Sequence, residues 1–180
     1  MNRRLAVTTL ALCCTACDAH GVRIGSEALC GLDPLLVTAH QRNGQPELPD
    51  CASVGENRLV DGSFEAPLVG ACNNGHFCQF PASDVPGWDT SSELQQIEIW
   101  NDQNAGVAAQ DGKQFVELDA STPDTVFQDL ALLPGELMCW SFSHRGLNGL
   151  ESLELLLGSP DAPLSQGVLE SPSDTWTTYS

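Results

Sequence analysis

The chain has 180 residues, enough for one ordinary domain with a leader, and its 24 acidic and 7 basic residues leave a net charge of −17. A surface that acidic repels phosphate backbones, which excludes nucleic-acid binding, and it provides no polybasic patch for a membrane surface. Hydrophobic residues at 42% can fill a core, and 16 Gly with 11 Pro announce many turns.

Residues 1–16 read as a signal peptide. Arg3 and Arg4 form its positive start, and Leu5 to Leu12 form an apolar run too short to span a bilayer. The stretch Cys14-Thr15-Ala16-Cys17 resembles a bacterial lipobox, with Cys14 where that motif usually carries Leu. The resemblance implies cleavage before Cys17 and lipidation of its thiol; cleavage nearby by an ordinary signal peptidase is the alternative. Either route exports the chain, and the lipid route anchors it in the bacterial cell envelope, facing outside the cytoplasm. Export also permits disulfides.

Residues 17–56 are polar and punctuated by Gly and Pro, which predicts an irregular tether. With Cys17 assigned to lipid, Cys30, Cys51, Cys72, Cys78 and Cys139 follow. Local pairing predicts Cys30–Cys51 within the tether and Cys72–Cys78 across the turn-forming Asn73-Asn74-Gly75. Cys139 is then expected as a buried free thiol. Cys72, His76 and Cys78 lack a fourth ligand for zinc.

From residue 57 to 180 the texture changes to short apolar runs separated by turn residues. Strands are predicted at Arg58–Val60, Gln95–Trp100, Lys113–Leu118, Thr125–Leu130, Leu137–His144, Leu153–Leu157 and Trp176–Tyr179. Pro86-Gly87, Asp111-Gly112, Pro134-Gly135 and Gly158-Ser159-Pro160 mark turns between them. No stretch carries a capped amphipathic helix of three turns. The pattern predicts an all-β sandwich or jelly roll.

An ordered series of motifs carries a family resemblance. It runs from Asn57-Arg-Leu-Val-Asp-Gly-Ser-Phe-Glu65 through Val85-Pro-Gly-Trp88 and Ile97-Glu-Ile-Trp100 to Asp111-Gly-Lys-Gln-Phe-Val-Glu-Leu-Asp119. Phe127-Gln-Asp-Leu130, Pro134-Gly135 and Trp140-Ser-Phe-Ser-His-Arg-Gly146 continue it. Residues 57–180 thereby resemble the galactose-binding-like jelly rolls of bacterial surface proteins. The resemblance implies a carbohydrate-binding, non-catalytic module, often with a structural calcium ion, for which Asp61 and Glu65 are the candidate ligands. In that family a strand opening Trp-x-x-Tyr leads into further strands, so Trp176-Thr-Thr-Tyr179-Ser180 implies an incomplete domain.

No nucleophile elbow, zinc-protease helix, phosphate loop or dinucleotide fingerprint is present, and an enzyme is not expected. The binding residues are sought instead by alternation. Glu98 and Trp100 point away from Ile97 and Ile99, and Glu117 points away from Val116 and Leu118. Arg145 is the only Lys or Arg after Lys113, and in a field of carboxylates it should sit beside them. His144 alternates with it, so one of the two faces the same groove. Glu98, Trp100, Glu117, His144 and Arg145 are thus the candidate ligand-binding set, for glycan or another cell-surface polymer. The competing reading is a structural or adhesive envelope lipoprotein, in which the same residues only fix strand register.

Overall fold

The computed structural model describes residues 57–70, 72–119, 123–131 and 139–180, together with the backbone of Leu5–Ala11, Gln41–Arg42 and Gln45–Pro46. Among the described residues twelve strands appear in chain order: β1 (Leu5–Ala11), β2 (Gln41–Arg42), β3 (Gln45–Pro46), β4 (Phe77–Pro81), β5 (Asp89–Thr90) and β6 (Gln96–Asn101). They continue as β7 (Gln114–Glu117), β8 (Val126–Phe127), β9 (Ser141–Gly146), β10 (Glu151–Ser159), β11 (Ala162–Ser171) and β12 (Thr177–Tyr179). The only helices among the described residues are single 3-10 turns. The all-β expectation is met.

The main sheet has six strands in the order β12-β9-β1-β7-β6-β4, with every neighbouring pair antiparallel. Ile97, Ile99, Val116 and Phe142 fill one of its faces. Leu155 and Leu157 of the β10–β11 hairpin pack onto that face, as do Trp88 and Val126 beside the short β5–β8 pair. The core therefore lies between two layers. A bulge between Leu155 and Leu156 breaks the alternation of β10, so three successive leucines are buried.

The segment predicted as a first strand, Arg58–Val60, is not one. Side chains hold it in place of a ladder: Gln128 accepts from the Val60 N–H (2.8 Å) and donates to the Val60 carbonyl (3.0 Å). Gln114, 1% exposed, does the same further on. It accepts from the Val69 N–H at 2.8 Å and donates to the Phe64 and Pro67 carbonyls at 2.9 and 3.1 Å. Phe64 stacks on Trp88 at 4.5 Å, and the Trp88 indole donates to the Asp61 carbonyl.

Six further strands lie outside the predicted set, among them the two-residue Gln41–Arg42 and Gln45–Pro46 within the expected tether. Phe77–Pro81 begins inside the cysteine loop, Asp89–Thr90 is only two residues long, and Ala162–Ser171 is disguised by Pro163 and Gly167. Leu5–Ala11 reads as the apolar run of a leader, yet it forms the third strand of the main sheet. Of the strand expected at Leu137–His144, residues 137–138 lie outside the described residues, residues 139–140 are irregular, and the strand runs over Ser141–Gly146.

Candidate functional site

The main sheet turns its second face away from the core, and strand register brings the candidate residues together there. Gln79, Glu98 and Glu117 lie directly opposite one another across β4, β6 and β7. Position 6 of β1 registers with both Glu117 and Arg145, so Arg145 closes the same cross-strand row two strands beyond Glu117. One step toward the sheet end, Phe77, Trp100 and Phe115 form a parallel row, and Val107, Leu147 and Trp176 pack against it. A polar row thus runs beside an aromatic wall.

Three details revise the roles expected of these residues. Trp100 is 4% exposed, with its ring 6.3 Å from Phe77 and 5.8 Å from Phe115, so it is wall material with no free face for stacking. Glu98 accepts from the Trp100 indole (2.5 Å) and from the Gln79 amide (2.8 Å). His144 continues the core-facing side of Phe142 and is fully buried, so of the pair His144 and Arg145 only Arg145 belongs to the row.

The remaining members differ in exposure. Glu98 and Glu117 are 5% and 3% exposed, two buried carboxyl groups on adjacent strands, whereas Arg145 is half-buried. Arg145 Nε has no hydrogen-bond partner among the described residues. Trp176 was not among the expected site residues. It immediately precedes β12, in line with Arg145, and is half-buried. Its ring meets Phe115 edge-on at 5.7 Å while its N–H donates to the Ala108 carbonyl. Its position depends on how β12 pairs with β9, which no local pattern signals.

The two candidate calcium ligands are committed to backbone. Asp61, at φ 48°, accepts from the Glu65 N–H (2.8 Å) and the Ala66 N–H (3.1 Å), closing its own turn. Burial pushes its carboxyl above the ordinary value, against the pull of those two N–H groups, and the Glu65 charge adds to the rise. Glu65 reaches across to the Lys113 and Gln114 N–H groups at 2.7 and 2.9 Å. Gly112 allows that approach, since a Cβ there would collide with the Glu65 carboxylate. Among the described residues no group of three His, Cys, Asp or Glu side chains is placed to hold a metal ion.

Cys72 and Cys78 form the expected disulfide, with Cα atoms 5.3 Å apart. Asn73, Asn74 and Gly75 between them all take left-handed backbone angles. Cys139 is also disulfide-bonded, which corrects the free-thiol expectation; its partner lies outside the described residues. Cys17, Cys30 and Cys51 lie outside them as well.

A cleft of about 560 Å³ opens elsewhere, between Pro81–Gln95 and the segment of Phe127 and Asp129. Asp89, Asp129 and Gln95 line it, with Trp88 and Phe127 behind. Those rings are 5% and 7% exposed and serve the core, so the cleft offers polar groups without a stacking face. No protein-family model, characterised protein or solved structure matches the chain.

Proposed function

We propose that the chain is a lipid-anchored, extracytoplasmic and non-catalytic module of galactose-binding-like jelly-roll type, binding glycan or another cell-surface polymer. The observation that carries this reading is the cross-strand row of Gln79, Glu98 and Glu117 on the face turned away from the core, which Arg145 of β9 joins when a strand fills the place of Leu5–Ala11 between β7 and β9. Amide, carboxylate and guanidinium groups are the donors and acceptors that sugar hydroxyls pair with, and Arg presents a planar fork of them. Trp176, at the Arg145 end of the row, takes over the stacking role first given to Trp100. A calcium ion at Asp61 and Glu65 stays within the proposal as a structural ion apart from the row.

The burial of Glu98 and Glu117 favours the second reading, a structural or adhesive lipoprotein with no sugar site. A glycan array probed with the full chain, with and without chelator, separates the two. Binding is expected, weakened at least tenfold by Arg145→Gln and by Trp176→Leu while circular dichroism stays unchanged. A wild-type chain that binds no glycan establishes the second reading. Trp100→Ala is unsuited to this test, because emptying so buried a ring costs about 3–5 kcal/mol of stability.

A further inference from the structure

Leu5–Ala11 pairs on both sides inside the main sheet, with β7 along one edge and β9 along the other. Position 7 registers with Val116 and His144, position 10 with Phe142, and position 6 with Glu117 and Arg145. Val116, His144 and Phe142 are 0%, 0% and 2% exposed on the core side. The same seven residues are the apolar heart of the leader, whose removal before Cys17 is part of the export reading on which this inference rests. One segment cannot both leave with the leader and stay as a central strand.

We infer that the gap between β7 and β9 is a strand-acceptor slot, occupied in the precursor by Leu5–Ala11 and in the exported protein by an extended, uncharged segment of a partner protein. Without β1 the two flanking strands stand roughly 10 Å apart, twice the ordinary spacing. Two rows of backbone N–H and C=O groups then face the gap, and the core beneath Val116 and Phe142 opens to water. An extended peptide restores both rows at once.

The register specifies the partner's chemistry. An apolar or β-branched residue belongs opposite Val116 and Phe142, where charge would be desolvated. A small residue belongs opposite Glu117 and Arg145, where the resident strand carries Ala6. The resident sequence LAVTTLA has no charge and no proline, so it is itself an instance of the donor class. Both ring nitrogens of His144, buried beside the slot, lack a hydrogen-bond partner among the described residues. A threonine opposite Val116 and His144 would turn a methyl to the one and a hydroxyl to the other.

The test uses the full chain with Val7→Pro and Leu10→Pro, which deprive the resident strand of two backbone donors. The probe is a fluorescent peptide of sequence LAVTTLA, with LAVPTLA as control. Fluorescence anisotropy is expected to show the double variant binding LAVTTLA at least tenfold more tightly than wild type, and LAVPTLA not at all. If the variant unfolds, recovery of its near-ultraviolet circular dichroism on adding LAVTTLA supports the slot, and failure to recover overturns it. Equal binding of the two peptides, or equal binding by wild type and variant, also overturns it. A wild-type chain that dimerises, and that LAVTTLA dissociates, assigns the slot to a second copy and overturns the partner assignment. Mass spectrometry of the exported chain tests the export reading separately: a retained leader refutes that reading and its exchange of strands, whatever the peptide does.

Discussion

Two glutamines show how side chains can replace a ladder. Gln114 and Gln128 are 1% and 3% exposed, and each pairs with backbone of the 57–69 segment through both ends of its amide. Alanine at either position strands buried backbone groups as well as removing the amide. Gln114→Ala is expected to cost about 3 kcal/mol and Gln128→Ala about 2 kcal/mol, read from urea midpoints at constant slope. His144 predicts a pH dependence. Burial pushes its imidazole down to about 4, whereas in the unfolded chain it titrates near 6.5. Between those values the unfolded state binds the extra proton, so stability is whole above 6.5 and falls as pH drops toward 4. The loss amounts to roughly 3 kcal/mol for a site buried this fully. His144→Leu should flatten it, as seen by comparing denaturation at pH 7 and pH 4.5; an unchanged difference between these two pH values would show that other groups set it.

The strands divide into those with a local signature and those without. Glu98, Trp100 and Glu117 share a face because alternation is a property of single strands, and register then adds Arg145. That much of the candidate site was legible. What alternation does not report is depth: Trp100 has the right direction and no exposed face, because Phe77 and Phe115 arrive from strands paired elsewhere in the chain. β11 hid behind Pro163 and Gly167, residues tolerated where a hairpin strand has a free edge. β4 has no separate signature because Asn73-Asn74-Gly75 between Cys72 and Cys78 signals a loop, although Cys78 itself lies in the strand. Since β4 is the edge of the main sheet, the Cys72–Cys78 bridge fastens that edge to the preceding turn. Replacing both cysteines by serine is expected to cost about 2 kcal/mol on the chain-entropy model. Limited proteolysis should then cut first between residues 72 and 78; wild-type resistance in the double variant would mean that the strand pairing alone holds the edge.

Charge acts on the molecule as a whole. Residues 57–180 carry eighteen acids and three bases, so the folded domain holds far more negative charge together than the extended chain does. Glu98 and Glu117 face each other across β6 and β7, and Asp61 and Glu65 accept from backbone N–H groups. Self-repulsion of this kind is long-ranged at low ionic strength, where the screening length is about 30 Å, and shrinks to about 10 Å at 0.1 M salt. The melting temperature is therefore expected to rise by several degrees between 0.01 and 0.1 M NaCl, and to rise little more once the screening length falls below the spacing of the surface carboxylates. Differential scanning calorimetry checks this directly. Calcium at matched ionic strength is the discriminating arm: an equal rise means that screening alone operates, while a larger and saturable rise marks an ion bound at specific oxygens. Asp61→Asn would then decide between the two, since it should abolish a saturable rise and leave the NaCl response almost intact. A melting temperature that falls with NaCl would instead show that attractive pairs dominate the field, and that the carboxylates are better compensated than their register implies.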